Sequence, residues 1–312
     1  MNIFVTGGAG FIGSHLVDQL IQDGHAVTVY DDLSSGKQEF IEHHLDNNNF
    51  TFIHADLVDT KKLIESLQGH DVVYHIAANP DVRLGAQQPV IAKKDMLATY
   101  NLLDAMRRHD IKQIIFSSSS TVYGETPPQP LPENYGPLLP ISVYGAAKLA
   151  AEGMISSFCH TFDMQGWIFR FANIVGERGT HGVIVDFINK LRDDPKKLEI
   201  LGDGKQKKPY LYVKDCVDAM LFGYQHAHEQ INVLNLGCDT ATQVTRIAEI
   251  VVEEMGLNDV TFSYTGGTRG WKGDVPYFQL DTTKMKKLGW TATYLSDDAV
   301  RETTKVLLDT NL

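Results

Sequence analysis

Thr6-Gly7-Gly8-Ala9-Gly10-Phe11-Ile12-Gly13 constrains this chain more than any other stretch. It follows a short β-branched and aromatic run, Asn2-Ile3-Phe4-Val5, and opens a segment at 11–23 with apolar residues three and four apart. Between a strand and a helix, three glycines in this order have separate uses. Gly7 permits the tight turn, Gly10 lets the main chain approach a pyrophosphate, and Gly13 lets helix pack on strand. The helix N-terminus then faces the phosphates with its amides and the positive end of its dipole. A glycine-rich turn without a ligand has the same letters, so the weight rests on the strand–turn–helix setting.

The surrounding pattern supplies that setting. Residues 26–30, 50–54, 71–75 and 111–117 are further apolar runs that break at polar or glycine positions. Such continuous apolarity suits strands covered on both faces. Between them, 59–68, 88–109 and 142–162 carry helical spacing. Strand alternating with helix predicts an α/β fold, a Rossmann-type doubly wound parallel sheet with right-handed crossovers. Prolines 127, 128, 130, 132, 137 and 140 exclude a helix or central strand from 124–141, which reads as an irregular connection over the sheet edge. After about residue 174 the rhythm loosens, with Gly-rich turns at 202–204 and 265–270. Residues 1–173 are expected to form the dinucleotide-binding domain, with some later segments returning to it. Residues 174–312 are expected to form a smaller, interleaved α+β lobe.

Charge narrows the partners. Across 312 residues, 28 basic and 39 acidic side chains leave a net charge of -11, which argues against a nucleic-acid binder. It does not argue against an anionic small ligand, which backbone amides and a few cations can hold. Cys159, Cys216 and Cys238 are odd in number and widely spaced, against a disulfide framework or structural zinc and in favour of a reducing cytosol. The twelve histidines show no HExxH spacing, and His43-His44 and His226 to His228 read as solvated helix-end residues, so no metal is expected. With no basic-then-apolar leader and no run of roughly 20 apolar residues, a cytoplasmic chain without a membrane partner is expected.

Asp31 ends the second strand, where a carboxylate accepts the adenosine ribose hydroxyls and repels a 2′-phosphate, favouring NAD over NADP. Asp32 reads as a turn residue. Asp56-Leu57 lies where adenine is contacted, or Asp56 caps a helix. Tyr144 and Lys148 are four apart, so on a helix both point into the same space. A phenol titrates near 10, and a close ammonium and an oxidised nicotinamide both favour phenolate; a tenfold gain in the ionised form takes about 1.4 kcal/mol. Ser117 to Ser120, before Thr121-Val122-Tyr123-Gly124, leave the fifth strand at its C-terminal end. A hydroxyl there relays a proton to Tyr144, or the serines form a plain polar loop.

TGGAGFIG, the Asp31 strand end, SSSSTVYG, YGAAK and RFANIVG together resemble the extended short-chain dehydrogenase/reductases. Through GDVPYFQLD and KKLGW the likeness extends to nucleotide-sugar epimerases of the UDP-glucose/UDP-galactose 4-epimerase kind. The resemblance implies Ser119, Tyr144 and Lys148 as catalytic residues. It places Gly7, Gly10, Phe11, Ile12, Asp31, Asp56, Leu57, Ala77 and Ala78, with Tyr144 and Lys148, against NAD. Asn173 matches a pyrophosphate contact and Asp274 a uridine-ribose contact. Lys208 stands where an Arg on the pyrophosphate is usual, or is a solvated turn residue. A second Arg is usual at Trp271, with Arg269 two residues earlier, and the usual Asn near the nicotinamide ribose is Asp95. Phe278 matches a position that limits sugar size, or packs beneath the lobe; Arg83 reaches substrate, or pairs on the surface.

Within that family, dehydratases typically carry Asp-Glu after the catalytic hydroxyl, where this chain has Ser120-Thr121. Decarboxylases typically place an Arg near Val275 to Phe278, and an aromatic pair there is a poor anchor for an anion. Simple 4-epimerisation needs no further acid or base. The implied reaction is NAD-dependent C4 epimerisation of a UDP-sugar, UDP-glucose/UDP-galactose or their N-acetylated counterparts, through a 4-keto sugar. A dehydratase or decarboxylase, and more distantly an NAD-sensing protein, are the alternatives. A homodimer built on helices near 88–109 and 142–162 is implied as well.

Overall fold

Every apolar run of the first half becomes a strand, and the segments of helical spacing become helices. The computed structural model describes residues 1–79, 82–127, 129–271 and 273–310, apart from the side chains of Arg83, Leu84 and Ala86. β1 (Asn2–Thr6), β2 (Ala26–Asp31), β3 (Phe50–His54), β4 (Val72–His75) and β5 (Gln113–Ser119) alternate with α1 (Phe11–Gln22), α2 (Thr60–Leu67), α3 (Val82–Gln87) and α4 (Val90–Arg108). β5 sits two residues later than the apolar run, so three of the four serines are strand rather than loop. The proline-rich connection holds only the two-residue β6 (Pro130–Leu131) among its described residues, and α5 (Val143–Thr161) and β7 (Gln165–Phe171) follow.

The later chain is more finely divided. It runs β8 (Asn173–Val175), α6 (Val183–Asp193), β9 (Lys197–Ile200), β10 (Lys207–Lys208), β11 (Tyr210–Tyr212), α7 (Val213–His226) and β12 (Ile231–Leu236). It closes with β13 (Thr242–Gln243), α8 (Val244–Glu254), β14 (Thr261–Tyr264), β15 (Gln279–Leu280), α9 (Thr283–Leu288) and α10 (Ser296–Asp309).

Seven strands form one sheet in the order β12-β7-β5-β4-β1-β2-β3. β3–β2, β2–β1, β1–β4 and β4–β5 all pair in parallel, as a Rossmann-type sheet requires. The order reverses between β1 and β4, and ligands in such sheets bind past the carboxyl ends of the strands at that switch. Ile3, Phe4 and Val5 are fully buried because helices cover both faces of the sheet.

Two compact units result. The first takes Met1–Val122, Leu138–Arg170 and Met220–Leu234; the second takes Tyr123–Pro137, Phe171–Ala219 and Asn235–Leu312. In the first, Phe4, Tyr30, Leu102, Met106, Ile114 and Ile155 belong to one core. In the second, Ile184 and Phe187 of α6, Ile247 and Val251 of α8, and Val300 and Leu307 of α10 belong to another.

One local expectation is corrected. His43 and His44 close a 3₁₀ turn (Glu42–His44), and His44 is not solvated: its side chain is 13% exposed and lies against Phe50. Among the described residues, no helix is long and apolar enough to cross a membrane.

Candidate active site

Ser142 begins the arrangement. Its hydroxyl accepts the Gly145 amide at 3.0 Å, capping α5 and fixing where the helix starts. Gly145 then packs where a side chain has no room: a Cβ would lie 2.8 Å from the Thr121 carbonyl. That close approach draws the first turn of α5 against the end of β5. Tyr144 is consequently brought beside Ser119, the last residue of β5, whose hydroxyl acts on the phenol. Ser119 Oγ accepts from the Thr121 amide at 3.2 Å and the Thr121 hydroxyl at 3.0 Å, so its own O–H is not used in either bond.

Lys148, a turn further on, is buried. Its ammonium donates to the Ser117 carbonyl at 2.5 Å and lies 4.7 Å above the Phe116 ring and 5.9 Å from the Tyr144 ring centre. Burial pulls its pKa down to about 8, against the opposing pull of Asp95 and Glu152, so it remains a cation at neutral pH. Burial pushes the Tyr144 phenol up to about 12, and the Asp95 charge adds to that, while the Ser119 hydrogen bond acts the other way. The free protein therefore holds Tyr144 protonated at pH 7.

Asp95, Lys148, Thr99, Phe116, Ala77 and Ala78 line a small pocket with room for about one water molecule. Behind it, burial and then the Lys148 charge lower the His75 pKa to about 3, so that ring is neutral, held between Thr6 Oγ1 (2.8 Å) and Thr99 Oγ1 (3.0 Å).

The nucleotide turn is built as its glycines imply. Gly7 has φ +71°, and a Cβ on it would lie 2.6 Å from the Ala77 amide. A Cβ on Gly13 would sit 2.0 Å from the Gly7 carbonyl, so the turn, α1 and the end of β4 pack main chain to main chain. Gly10 is the N-cap of α1, and no side chain among the described residues caps that end. Phe11 and Ile12 open the helix, part-exposed, with first-turn amides that have no partner within the helix.

Asp31 Oδ2 accepts the Ala9 amide at 2.9 Å and Oδ1 the Leu33 amide at 2.8 Å, pinning the turn to the end of β2. Each oxygen keeps a lone pair for a ribose hydroxyl. Asp56 accepts the Val58 amide at 3.1 Å and pairs with Lys94 at 2.9 Å; Asp59, not Asp56, caps α2. The Leu57 side chain belongs to the core, and its carbonyl accepts Asn101 Nδ2 at 3.1 Å. An uncapped helix end, glycines that admit close approach and a carboxylate at the end of β2 fit a dinucleotide.

The second unit assembles several of the residues matched to the substrate. Lys208 Nζ lies 2.5 Å from Asp274 Oδ1 and 5.1 Å from the Trp271 ring centre. Asp274 Oδ2 accepts the Gly270 amide at 3.0 Å. Arg269 Nη1 donates to the Asp274 carbonyl at 2.6 Å, and its Nη2 pairs with Glu125. Asn173 opens β8 beside Tyr210, whose buried phenol has its pKa raised by burial and then by the Asp274 charge, while Asn173 acts the other way. Phe278 is buried, 7% exposed. The Arg83 side chain lies outside the described residues.

Sequence reasoning missed the support beneath Lys148. Glu152, one further turn along α5, accepts from Ser118 Oγ at 2.5 Å, Arg170 Nε at 3.0 Å and Arg170 Nη2 at 2.7 Å. Both charged side chains are almost wholly buried, 5% and 7% exposed. The available signal was a lone acid on the Tyr144–Lys148 face of an otherwise apolar helix, at i+4 from Lys148. Arg170→Met, which leaves a buried carboxylate unpaired, is expected to cost about 3–5 kcal/mol in chemical denaturation. Arg170→Met with Glu152→Leu should recover much of that loss; a cost below about 1 kcal/mol for the single change would contradict the pair's structural weight.

Comparison with known proteins gives the family. The model of the NAD dependent epimerase/dehydratase family matches residues 3–237. A putative UDP-glucose 4-epimerase of Methanocaldococcus jannaschii is 36% identical over 296 residues, covering 92% of each chain. A solved UDP-galactose 4-epimerase is 41% identical with a TM-score of 0.90 over 100% of both chains. A UDP-N-acetylglucosamine 4-epimerase from Methanobrevibacter ruminantium, solved with UDP-N-acetylmuramic acid, is 32% identical with a TM-score of 0.87, covering 99% of this chain and 98% of that one. Matched through its glycine turn, its Tyr–Lys helix and the strands that hold both, this chain belongs to the NAD dependent epimerase/dehydratase family.

Proposed function

We propose that this protein interconverts the C4 epimers of a UDP-hexose with NAD as a resident cofactor. The observation that carries the reading is Tyr144 beside Ser119 and buried Lys148, at the carboxyl end of β5. The first-turn amides of α1 would hold the pyrophosphate of the dinucleotide, Asp31 its adenosine ribose and Lys148 the ribose nearest the reaction. When bound, NAD supplies a two-electron acceptor that returns the electrons in the second half of the cycle.

The chain's own residues manage the proton. Tyr144, as phenolate, takes the proton from the sugar O4 while C4 is oxidised, and gives it back when the 4-keto sugar is reduced on its other face. Ser119, whose hydroxyl lies beside that phenol, steadies the proton path. The Lys148 cation offsets the cost of ionising a buried phenol, which the free protein holds near 12. Lys208, Arg269 and Asn173 would hold the substrate pyrophosphate and Asp274 the uridine ribose, leaving the sugar to turn. The second charge usual at Trp271 is absent, so Arg269 would have to release Glu125 to reach a phosphate.

Ser120-Thr121, with no carboxylic acid, argues against elimination of water at C6. Phe278, bulky and buried, favours UDP-glucose and UDP-galactose over N-acetylated sugars. The same family reading supports a homodimer through α4 and α5: Leu97 and Tyr100 on α4 are 44% and 48% exposed in the single chain.

Incubation with UDP-glucose and with UDP-N-acetylglucosamine should yield the C4 epimer, faster from the former; no epimer from either would reject the proposal. Tyr144→Phe should lower kcat by about 10²–10⁴-fold while NAD stays bound, whereas an NAD sensor would be indifferent to the change. The pH dependence has a definite sign. Turnover needs phenolate, so activity rises with pH through the Tyr144 pKa, and the Asp95 charge raises that pKa. Asp95→Asn should therefore move the acid limb of the kcat profile to lower pH; an unmoved or raised limb would exclude Asp95 from the electrostatics. Leu97→Glu should convert a dimer to monomers in sedimentation velocity, and a wild-type monomer would refute the helix-pair interface.

A further inference from the structure

Outside the residues just described, the turn that ends in His43 and His44 holds a separate group of convergent side chains. Asp18 Oδ1 on α1 lies 2.9 Å from His43 Nε2 and 2.7 Å from His44 Nε2. The two rings are adjacent in sequence and 4.0 Å apart between centres, so both present the same nitrogen to one oxygen. All three atoms lie within 4.8 Å of one another. Phe50, 5.5 Å from the His44 ring, holds that side chain from behind. His43 is 47% and Asp18 30% exposed, so one side of the group is open to solvent.

Two imidazole nitrogens and a carboxylate oxygen form a donor set for a borderline divalent ion. Zn²⁺ takes nitrogen at about 2.0–2.1 Å and carboxylate oxygen at about 2.0–2.2 Å, usually in a tetrahedron. Tetrahedral angles at those lengths separate neighbouring ligand atoms by about 3.3 Å. The observed spacings of 2.7 and 2.9 Å need to open by about half an ångström, which small rotations of part-exposed side chains supply. Neutral imidazoles with one carboxylate leave the group at a single negative charge, on a chain of net charge -11, which favours a cation. The cysteines are buried and offer no competing thiolate at the surface.

We propose that Asp18, His43 and His44 form a binding site for a divalent transition ion, Zn²⁺ being the best match, with solvent completing the shell. The ion would clip the segment between β2 and β3 to α1. Its effect is on stability and not on turnover, because none of the three residues belongs to the catalytic or nucleotide-binding machinery.

The test uses the full chain, freed of metal by dialysis against a chelator. Titration calorimetry with Zn²⁺ should show one equivalent bound per chain, and the thermal midpoint should rise on adding the ion. Co²⁺ in its place should give the intense visible absorption of a tetrahedral site. His43→Gln alters the most exposed ligand and is expected to leave the metal-free midpoint unchanged while abolishing the zinc-dependent rise. Asp18→Asn keeps a hydrogen-bond acceptor but removes the charge, and should weaken binding. No binding, or one equivalent bound equally well by both variants, would overturn the site and leave an Asp–His hydrogen-bonded cluster only.

Discussion

A cation buried beside a phenol is the constraint around which the first unit is arranged. Lys148 loses the solvation of its ammonium, and burial alone draws its pKa down toward neutrality. What keeps it charged is supplied from three directions: the Ser117 carbonyl at 2.5 Å, the Asp95 carboxylate across the small pocket, and Glu152 one turn along the helix. Each partner has its own anchor. Glu152 is gripped by Arg170 and Ser118, and Asp95 accepts the Asn79 amide at 3.4 Å. β5 is thereby tied to α5 at two consecutive residues, 117 through its carbonyl and 118 through its hydroxyl.

The same electrostatics acts on the phenol. Burial raises the Tyr144 pKa, and the Asp95 charge adds to that. A carboxylate at position 95 supports the lysine while opposing ionisation of the phenol, so its two effects pull against each other. The acidic limb of a pH profile reads that balance directly. In the second unit an ion pair also dominates: Lys208 is already neutralised by Asp274, with the Trp271 ring close by. A phosphate approaching Lys208 must share it with a buried carboxylate, and this is a different situation from a free arginine fork.

Much of this was legible in the residues. Strand and helix periods placed β1 to β5 and α1, α2, α4 and α5 within about two residues of where they lie, because burial on both faces or on one stripe leaves a periodic trace. That Tyr144 and Lys148 share a face followed from helical spacing, whereas the choice of Ser119 among the four serines came from the family resemblance. Local features were less secure. Helix capping fell to Asp59 where Asp56 was equally eligible, and the serine run entered the strand. His44 turned inward because Phe50 covers it, a contact nothing in the neighbouring letters announces.

By itself, then, the sequence determined the order of elements, the glycine turn and which side chains share the face of α5, since each depends on neighbours within a few positions. Only the tertiary structure decided which charges meet. Lys208 finds Asp274 across 66 positions, Arg269 finds Glu125 across 144, and Arg170 reaches Glu152 on α5. Those pairings follow from how the chain packs, and a charge excluded from water takes whichever opposite charge or amide the packing brings within reach.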